Sequence, residues 1–264
     1  MQPTYFINHG GGPCFFLEAG PLRSAFGELE GYLAAFAGAL SERPRAILMI
    51  SGHWEEAVPT LNAGATPALL YDYQGFPPHT YQLTWPAPGS PDLAAQVHDL
   101  FEAAGISSAA DTVRGWDHGV FVPMKVMFPA AEIPLVQLSL QHGLDPATHL
   151  AMSRALKPLR QEGILIVGSG QTYHNMRGFT SGGAQGDPAA EAFDDWLRER
   201  LLDGATRDQA LIEWQQAPGA RHAQPNEDHL LPLMVAAGVA SGEPGQVVFH
   251  GHALGKPISG FRFG

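Results

Sequence analysis

Three histidines occupy similar places behind predicted strands. His9, His53 and His174 each follow an apolar run within a few residues, with glycine close by that lets the backbone turn sharply. The runs are residues 4–8, 46–51 and 164–168. Ligands of parallel sheets bind beyond the carboxyl ends of the strands, and imidazole binds zinc, iron, copper or nickel. The spacing predicts one shared metal site, although a lone histidine is more often structural.

A further ligand is expected from residues 221–232 (RHAQPNEDHLLP), just ahead of an apolar helical pattern. Four side chains there are candidate ligands: His222, Glu227, Asp228 and His229. Pro232 is tolerated only in a first helical turn, which places His229 at or just before the helix start. The plainer interpretation is that Asn226 or Asp228 caps the helix. Both interpretations can be correct if the capping residue and the metal ligand are neighbours in the sequence.

Two other chemistries remain as weaker alternatives. The run Gly10–Gly12 resembles a phosphate cradle, but it lacks the spacing of known phosphate loops and no Lys-Ser/Thr pair follows it. Ser169 lies between two glycines, but the full nucleophile-elbow pattern of hydrolases is missing. The metal hypothesis explains more of the residues than either alternative.

The elements that position these residues alternate between strands and helices. Strands are predicted at residues 4–8, 46–51, 133–140, 164–168 and 247–250. Helices are predicted at residues 21–40, 91–104, 123–127, 146–162, 189–203, 207–215 and 231–240. Residues 57–88 are expected to be irregular, and residues 178–188 to form a mobile loop. This alternation indicates an α/β fold with a mostly parallel central sheet flanked by helices on both faces.

Composition narrows the class of protein further. The 264 residues show no composition shift, so a single catalytic domain over residues 1–264 is expected. The net charge of −11 argues against nucleic acid and anionic membranes as partners. The lone Cys14 allows neither a disulfide framework nor a cysteine-based zinc site, which fits a reducing cytoplasm. We find no secretory signal pattern at the N-terminus and no apolar run long enough for a membrane span.

An ordered set of segments resembles one enzyme family. The segments are residues 9–13 (HGGGP), 51–54 (SGHW), 71–77 (YDYQGFP), 116–119 (WDHG), 133–140 (IPLVQLSL), 169–175 (SGQTYHN) and 227–233 (EDHLLPL). Together they resemble the class III extradiol ring-cleaving dioxygenases, in particular the DOPA 4,5-dioxygenase-like branch. The resemblance extends from His9 to the end of the chain. His79 and Tyr173 depart from the family's pattern, so the resemblance does not extend to the substrate pocket.

The resemblance implies a role for each matching position. His9, His53 and His229 match the metal ligands, and His229 stands where better-known relatives have glutamate. His174 matches an acid/base residue that can also become a fourth ligand. His118 matches a histidine thought to contact oxygen or substrate. The implied cofactor is Fe(II), with Zn(II) possible in purified protein.

The implied reaction is the opening of a catechol ring with O2 to give a muconic semialdehyde, catalysed by a cytoplasmic enzyme of unknown oligomeric state. A third neutral histidine in place of glutamate raises the charge of the site by one, which favours a catecholate anion. Asp117 is either the residue that orients His118 or a simple turn residue. Aromatic walls are expected from Phe15, Trp54, Tyr73 and Tyr173, for which core packing is the plainer interpretation.

Two competing functions use the same residues. A zinc-dependent amide or ester hydrolase would need a general base, and Glu227 is the best candidate. A non-catalytic binding protein would keep the fold without the reaction. The complete set of histidines argues against that second alternative.

Overall fold

A computed structural model describes residues 1–181 and 186–264, and within these ranges the strands form one eight-stranded sheet. The strands are β1 Thr4–Asn8, β2 Ala46–Glu56, β3 Thr60–Asn62, β4 Ala109–Asp111, β5 Leu135–Gln141, β6 Ile164–Gly170, β7 Gly245–Ala253 and β8 Lys256–Phe263. Their order across the sheet is β4-β3-β5-β2-β6-β1-β8-β7. All five predicted strands are present, although the one predicted at residues 133–140 begins only at Leu135.

The sheet is mixed, and most of its strands are parallel, which agrees in part with the prediction of a mostly parallel sheet. Its central strands β5, β2, β6 and β1 are parallel, and so is the β3–β4 pair. Antiparallel pairing occurs between β3 and β5 and through β8, which pairs with both β1 and β7. Only Leu254 and Gly255 connect β7 to β8, both with positive φ. A two-residue turn of this kind joins antiparallel strands, whereas parallel strands need a long crossover.

The helices cover the sheet largely where the sequence predicts them. They are α1 Pro21–Ser24, α2 Gly27–Ala39, α3 Pro91–Ala103, α4 His118–Met127, α5 Pro146–Ser153, α6 Met176–Ser181, α7 Pro188–Arg200, α8 Arg207–Ile212, α9 Ala220–Ala223 and α10 Leu231–Val239. Short 3-10 segments occupy Cys14–Phe16, Pro78–Gln82, Arg154–Glu162 and Trp214–Gln216. Predicted helix 21–40 is divided in two, and α4 begins five residues before the predicted start at Pro123.

The predicted mobile loop at 178–188 is only partly described. Its first residues belong to α6 and its last residue begins α7. Between them, residues 186 and 187 are described, and residues 182–185 lie outside the described residues. No helix in the described part of the chain is long and apolar enough to cross a membrane.

Strand β6 shows that helices cover both faces of the sheet. A Cβ on Gly168 would meet the carbonyl oxygen of Pro232 in α10. The next residue, Ser169, instead contacts the carbonyl oxygen of Gly119 in α4. Because successive strand residues point to opposite faces, α10 and α4 lie on opposite sides of the sheet. Both helices begin beside the carboxyl ends of the central strands, where the predicted site lies.

Strand β2 continues past its predicted end, so His53 lies within a strand and not beyond it. The pairing of β2 with β5 shifts register between Ile50 and Glu55, and the intervening residues form an irregularity in the strand. Such bulges redirect a side chain locally and are common beside active sites. The glycine next to His53 predicts a turn, but the strand recovers its pairing and reaches Glu56.

Candidate metal centre

The side chains of His9, His53 and His229 converge at the carboxyl edge of the sheet. The Nε2 atom of His53 lies 3.2 Å from Nε2 of His9 and 3.2 Å from Nε2 of His229. The group forms a potential ion-binding set with ligand atoms within 4.8 Å of one another. His9 follows β1, His53 lies in the β2 irregularity, and His229 precedes α10. Residues from three distant parts of the sequence therefore face one point.

The protonation of His9 follows from its hydrogen bonds. The hydroxyl of Ser169 donates to the carbonyl oxygen of Gly119. The same oxygen lies 3.1 Å from Nδ1 of His9, so it must accept a hydrogen bond from that nitrogen. Nδ1 of His9 therefore carries the hydrogen, and Nε2 presents its lone pair to the centre. Ser169 thus orients a histidine and does not act as the nucleophile of the alternative hydrolase.

The protonation of His229 is set in the same way by its neighbour in the sequence. Nδ1 of His229 lies 2.9 Å from a carboxylate oxygen of Asp228, which can only accept. Nε2 of His229 is therefore also unprotonated. The N-cap position of α10 belongs to Leu230, and its first amides bond to the carbonyl of Glu227. The predicted capping by Asn226 or Asp228 is wrong, since Asp228 is engaged with the imidazole.

Burial keeps the three imidazoles neutral. The pKa of His9 and that of His229 are held well below the usual value, first by burial and then by the neighbouring histidines. Burial and His118 lower the pKa of His53 to about 4, although nearby carboxylates oppose this shift. Neutral imidazole is the form that binds metals.

The arrangement fits a single bound cation. At most one proton can lie on Nε2 of His53, so at least one of its two 3.2 Å contacts brings two lone pairs together. A cation between the nitrogens removes that repulsion. Imidazole nitrogens at about 2.0–2.1 Å from one ion are separated by about 2.9 Å in octahedral and about 3.3 Å in tetrahedral geometry. The observed spacing falls between these values.

Close backbone contacts explain why glycines accompany these histidines. A Cβ on Gly170 would lie 2.0 Å from the carbonyl oxygen of His229. A Cβ on Gly119 would lie 2.8 Å from the ring of His53. Larger residues at either position would push the start of α10 or α4 away from the sheet. The glycines let both helix starts approach the site.

His174 lies beside this trio. Its ring stacks on that of His229, with centroids 3.3 Å apart and planes 17° apart. Its ligand atoms group with Asp228 and His229, whereas the trio itself comprises His9, His53 and His229. Burial lowers the pKa of His174 to about 4, opposed by the charge of Asp228. His174 is therefore a neutral imidazole next to the site.

His118 completes the cluster, and its partner is a residue that the sequence analysis missed. Nδ1 of His118 lies 2.8 Å from a carboxylate oxygen of Asp72, which also accepts from the His118 backbone amide at 2.9 Å. Burial alone would raise the pKa of Asp72, but these hydrogen bonds lower it overall. Asp72 lies in the stretch predicted to be irregular. Its only sequence signal is its place in the segment 71–77.

Asp117 does not orient His118, which corrects the hypothesis that it does. The buried carboxylate of Asp117 accepts hydrogen bonds from Ser51 at 2.8 Å and Gln137 at 2.6 Å. The Ser51 hydroxyl in turn lies 3.1 Å from the backbone amide of His53. Asp117 therefore anchors the irregular part of β2 that presents His53.

We predict that Asp72→Asn lowers kcat by about 10- to 100-fold, the usual effect of removing a carboxylate that holds an active-site histidine. Turnover is measured per bound metal ion, so that any loss of metal is separated from the effect on His118. Asp117→Asn is the matched control, because it should reduce metal content and leave turnover per bound ion largely intact. Unchanged kcat per ion in Asp72→Asn would show that His118 needs no anionic partner.

A cavity of about 360 Å³ opens onto the histidines. His9, His53, His118, His174 and His229 all line it, together with Gly10–Gly12, Gln171, Tyr73 and Ala253. Its remaining lining residues are Leu22, Phe26, Phe76, Met176, Phe179 and Leu254. Larger grooves on the surface lie away from this cluster. A polar, histidine-rich part and an apolar part therefore make up one cavity of the size that suits a small ligand.

Of the four predicted aromatic walls, Tyr73 lines the cavity. Its hydroxyl donates to the carbonyl oxygen of Thr80 at 2.6 Å, so the ring is held in place. The other three predicted walls are not among the described residues that line the cavity; they are Phe15, Trp54 and Tyr173. Phe15 packs on Phe26, Trp54 lies under Arg114, and Tyr173 packs on Phe179. Phe26, Phe76 and Phe179 provide aromatic walls that the sequence analysis did not select.

The carboxylate of Glu227 interacts with residues outside the cavity. It pairs with the guanidinium of Arg221 and accepts a hydrogen bond from Gln215 at 3.2 Å. Neither the proposed third-ligand role nor that of a hydrolytic base fits this position. His222, the remaining candidate in this segment, pairs with Asp187 at 2.8 Å.

Comparison with known proteins identifies the family of this chain. Residues 4–259 match the family described as the catalytic LigB subunit of aromatic ring-opening dioxygenase. The 4,5-DOPA dioxygenase extradiol of Beta vulgaris is 39% identical over 91% of this chain and 87% of its own length. The dioxygenase tasH of Hapsidospora irregularis is 38% identical over 100% of this chain and 86% of its own. An uncharacterized protein of Escherichia coli K12 has a similar structure, with a TM-score of 0.81, 30% identity and complete coverage of both chains.

The chain belongs to this family of aromatic ring-opening dioxygenases. Within it, the protein is an extradiol ring-opening dioxygenase of the class III superfamily, which confirms the resemblance seen in its sequence segments. The family is metal-dependent, and the histidine cluster has the arrangement of side chains that could bind an ion.

Proposed function

We propose that the protein is a non-haem Fe(II)-dependent enzyme that cleaves a catechol-type ring with O2 to give a muconic semialdehyde. The observation that supports this most directly is the convergence of three neutral imidazoles at the buried end of a cavity. His9, His53 and His229 would hold the ion. Three protein ligands would leave room at the ion for the substrate and O2, and Fe(II) would supply the redox chemistry between them when bound.

His174 would move the proton that the catechol must lose on binding. Its imidazole lines the cavity directly beside His229. The neutral imidazole has a free lone pair that can accept the catechol proton, and the resulting imidazolium can return it later in the reaction. Stacking on His229 keeps the ring close to where a catechol oxygen would bind. We therefore assign acid/base catalysis to His174 and treat ligation as secondary.

His118 would donate or accept a hydrogen bond at the oxygen or substrate end of the site. Asp72 holds its Nδ1, so its Nε2 remains for the ligand. The centroid of the His118 ring lies 4.0 Å from that of His53, adjacent to the predicted ion. Asp72 is thus a positioning residue, since it acts through His118.

The apolar part of the cavity would exclude water from the reaction. Phe26, Phe76 and Tyr73 surround the loop Gly10–Gly12 that follows His9. A Cβ on Gly12 would lie 2.8 Å from the ring of Phe76, so only glycine lets the loop pass. A dry site strengthens the electrostatic interactions of a catecholate with a cation.

Anaerobic reconstitution with Fe(II) tests the proposal. We expect the iron-loaded protein to consume one O2 per catechol and to form a yellow ring-opened product. Zinc-loaded protein, which keeps the fold and the ion site without redox chemistry, should consume none. Absence of uptake with every member of a broad panel of catechols would overturn the proposed function.

A further inference from the structure

The cavity has a polar end and an apolar end, and they differ in exposure. His9 and His229 are 1% and 3% exposed and lie at its deep end. Leu22 and Met176 are 46% and 64% exposed and form its mouth. A catechol whose oxygens reach the histidines must therefore direct its substituent toward the apolar end.

No carboxylate, ammonium or guanidinium group from the described residues lines this cavity. The charged side chains next to its lining residues in the sequence are engaged elsewhere. The adjacent carboxylates bond to His118 (Asp72), to Ser51 and Gln137 (Asp117) and to His229 (Asp228). Arg23, next to Leu22, pairs with Glu30 at 2.8 Å. Lys256, two residues beyond Leu254, pairs with Asp187 at 2.6 Å. Arg177, next to Met176, also has an interaction of its own.

The polar groups that do line the cavity are poorly suited to an ionic substituent. The Tyr73 hydroxyl donates its hydrogen to Thr80, and the amide nitrogen of Gln171 donates to the carbonyl oxygen of Gly10. An ionised group placed against Phe26, Phe76 and Phe179 would lose water without gaining a partner, which is strongly unfavourable. An apolar substituent would gain from the same contacts.

We infer that the substrate is a catechol with an uncharged, apolar side chain and not an amino acid. The inference depends on the proposed ring cleavage and specifies its substrate class. It sets this chain apart from the function named for its relatives, since DOPA carries both an ammonium and a carboxylate. Neither group finds an opposite charge among the described residues lining the cavity.

Matched catechols of equal chain length test the inference. The probes are 4-propylcatechol, 3-(3,4-dihydroxyphenyl)propionate, dopamine and DOPA. Dissociation constants are measured by calorimetry on zinc-loaded protein without oxygen, and kcat/KM on the iron-loaded enzyme. We expect 4-propylcatechol to bind at least about tenfold more tightly than DOPA, since each buried methylene contributes about fourfold and the charges lack partners.

The outcomes separate this inference from the proposed function. Equal or tighter binding of DOPA, with turnover, would overturn the substrate class and leave ring cleavage standing. Failure of every probe to support oxygen uptake would overturn the proposed function itself. Higher kcat/KM for 4-propylcatechol than for all three charged probes supports both.

Two single substitutions give a sharper test of the apolar mouth. Met176→Arg places a cation at the mouth and should improve binding of the propionate relative to 4-propylcatechol by about threefold, the range of an exposed ion pair. Ile212→Arg is the matched control, because Ile212 is 38% exposed on α8 and does not line the cavity. An unchanged ratio in Met176→Arg, or the same change in both variants, would contradict the inferred position of the substituent.

Discussion

His229→Ala is expected to lose the catalytic metal, with affinity falling by more than the 10- to 100-fold typical of removing an outer hydrogen-bond partner. The reason is that Nε2 of His229 lies 3.2 Å from that of His53 and points its lone pair at the same centre. The measurement is metal content after equilibration with Fe(II) or Zn(II) at fixed free concentration. Thermal unfolding without metal checks that the variant still folds.

Two neighbours of His229 provide matched controls. Glu227→Ala should retain wild-type metal content, because this carboxylate pairs with Arg221 outside the cavity. Asp228→Asn should show an intermediate loss of about 10- to 100-fold, since Asp228 orients the imidazole without being required as a ligand. Loss of metal in Glu227→Ala together with retention of metal in His229→Ala would show that Glu227 is the third ligand. It would refute the proposed set of His9, His53 and His229.

His174→Ala is expected to retain most of its metal and to lose turnover by about 100- to 10,000-fold, the usual contribution of a general acid or base. His174 lies against His229 in the cavity, but the converging nitrogens belong to His9, His53 and His229. The experiment compares kcat per bound ion with metal content in the same preparation. A near-normal kcat would show that His174 takes no part in catalysis, whereas loss of metal would show that His174 is a metal ligand.

Tyr173→Phe is the control for that experiment. Tyr173 is adjacent in sequence and 1% exposed, but it packs against Phe179 outside the cavity lining. We expect its kcat and KM to stay within about twofold of wild type, because substitutions away from functional contacts have small effects. A large change in KM would instead show that Tyr173 contacts the substrate, as the sequence analysis predicted for an aromatic wall.

The parts of the site that were predictable are those tied to local chain geometry. His9 and His174 follow apolar strands whose length and composition are visible in the sequence. Pro232 restricts the start of α10 and thereby places His229 in the preceding turn. Strand ends and helix starts follow from residues a few positions apart, so one sequence is enough to locate them.

The partners of these histidines were much less predictable. Asp72 and His118 are 46 residues apart, and Ser169 and His9 are 160 apart. Asp117 adjoins His118 but turns toward Ser51 and Gln137, because its side chain is buried between β2 and β5. Adjacency along the chain therefore suggested the wrong carboxylate. Hydrogen bonds between distant segments depend on how the sheet and its helices pack.

By itself, the sequence determined which histidines could meet, the alternation of strands and helices, and the family that both indicate. Only the tertiary structure decided the antiparallel β7–β8 edge, the bulge that holds His53, and the tautomers set by Ser169 and Asp228. It also decided which aromatic rings face the cavity. The physical reason is range: turn and helix preferences act over a few residues, whereas strand order, burial and hydrogen-bond partners are set by contacts between segments far apart in the chain.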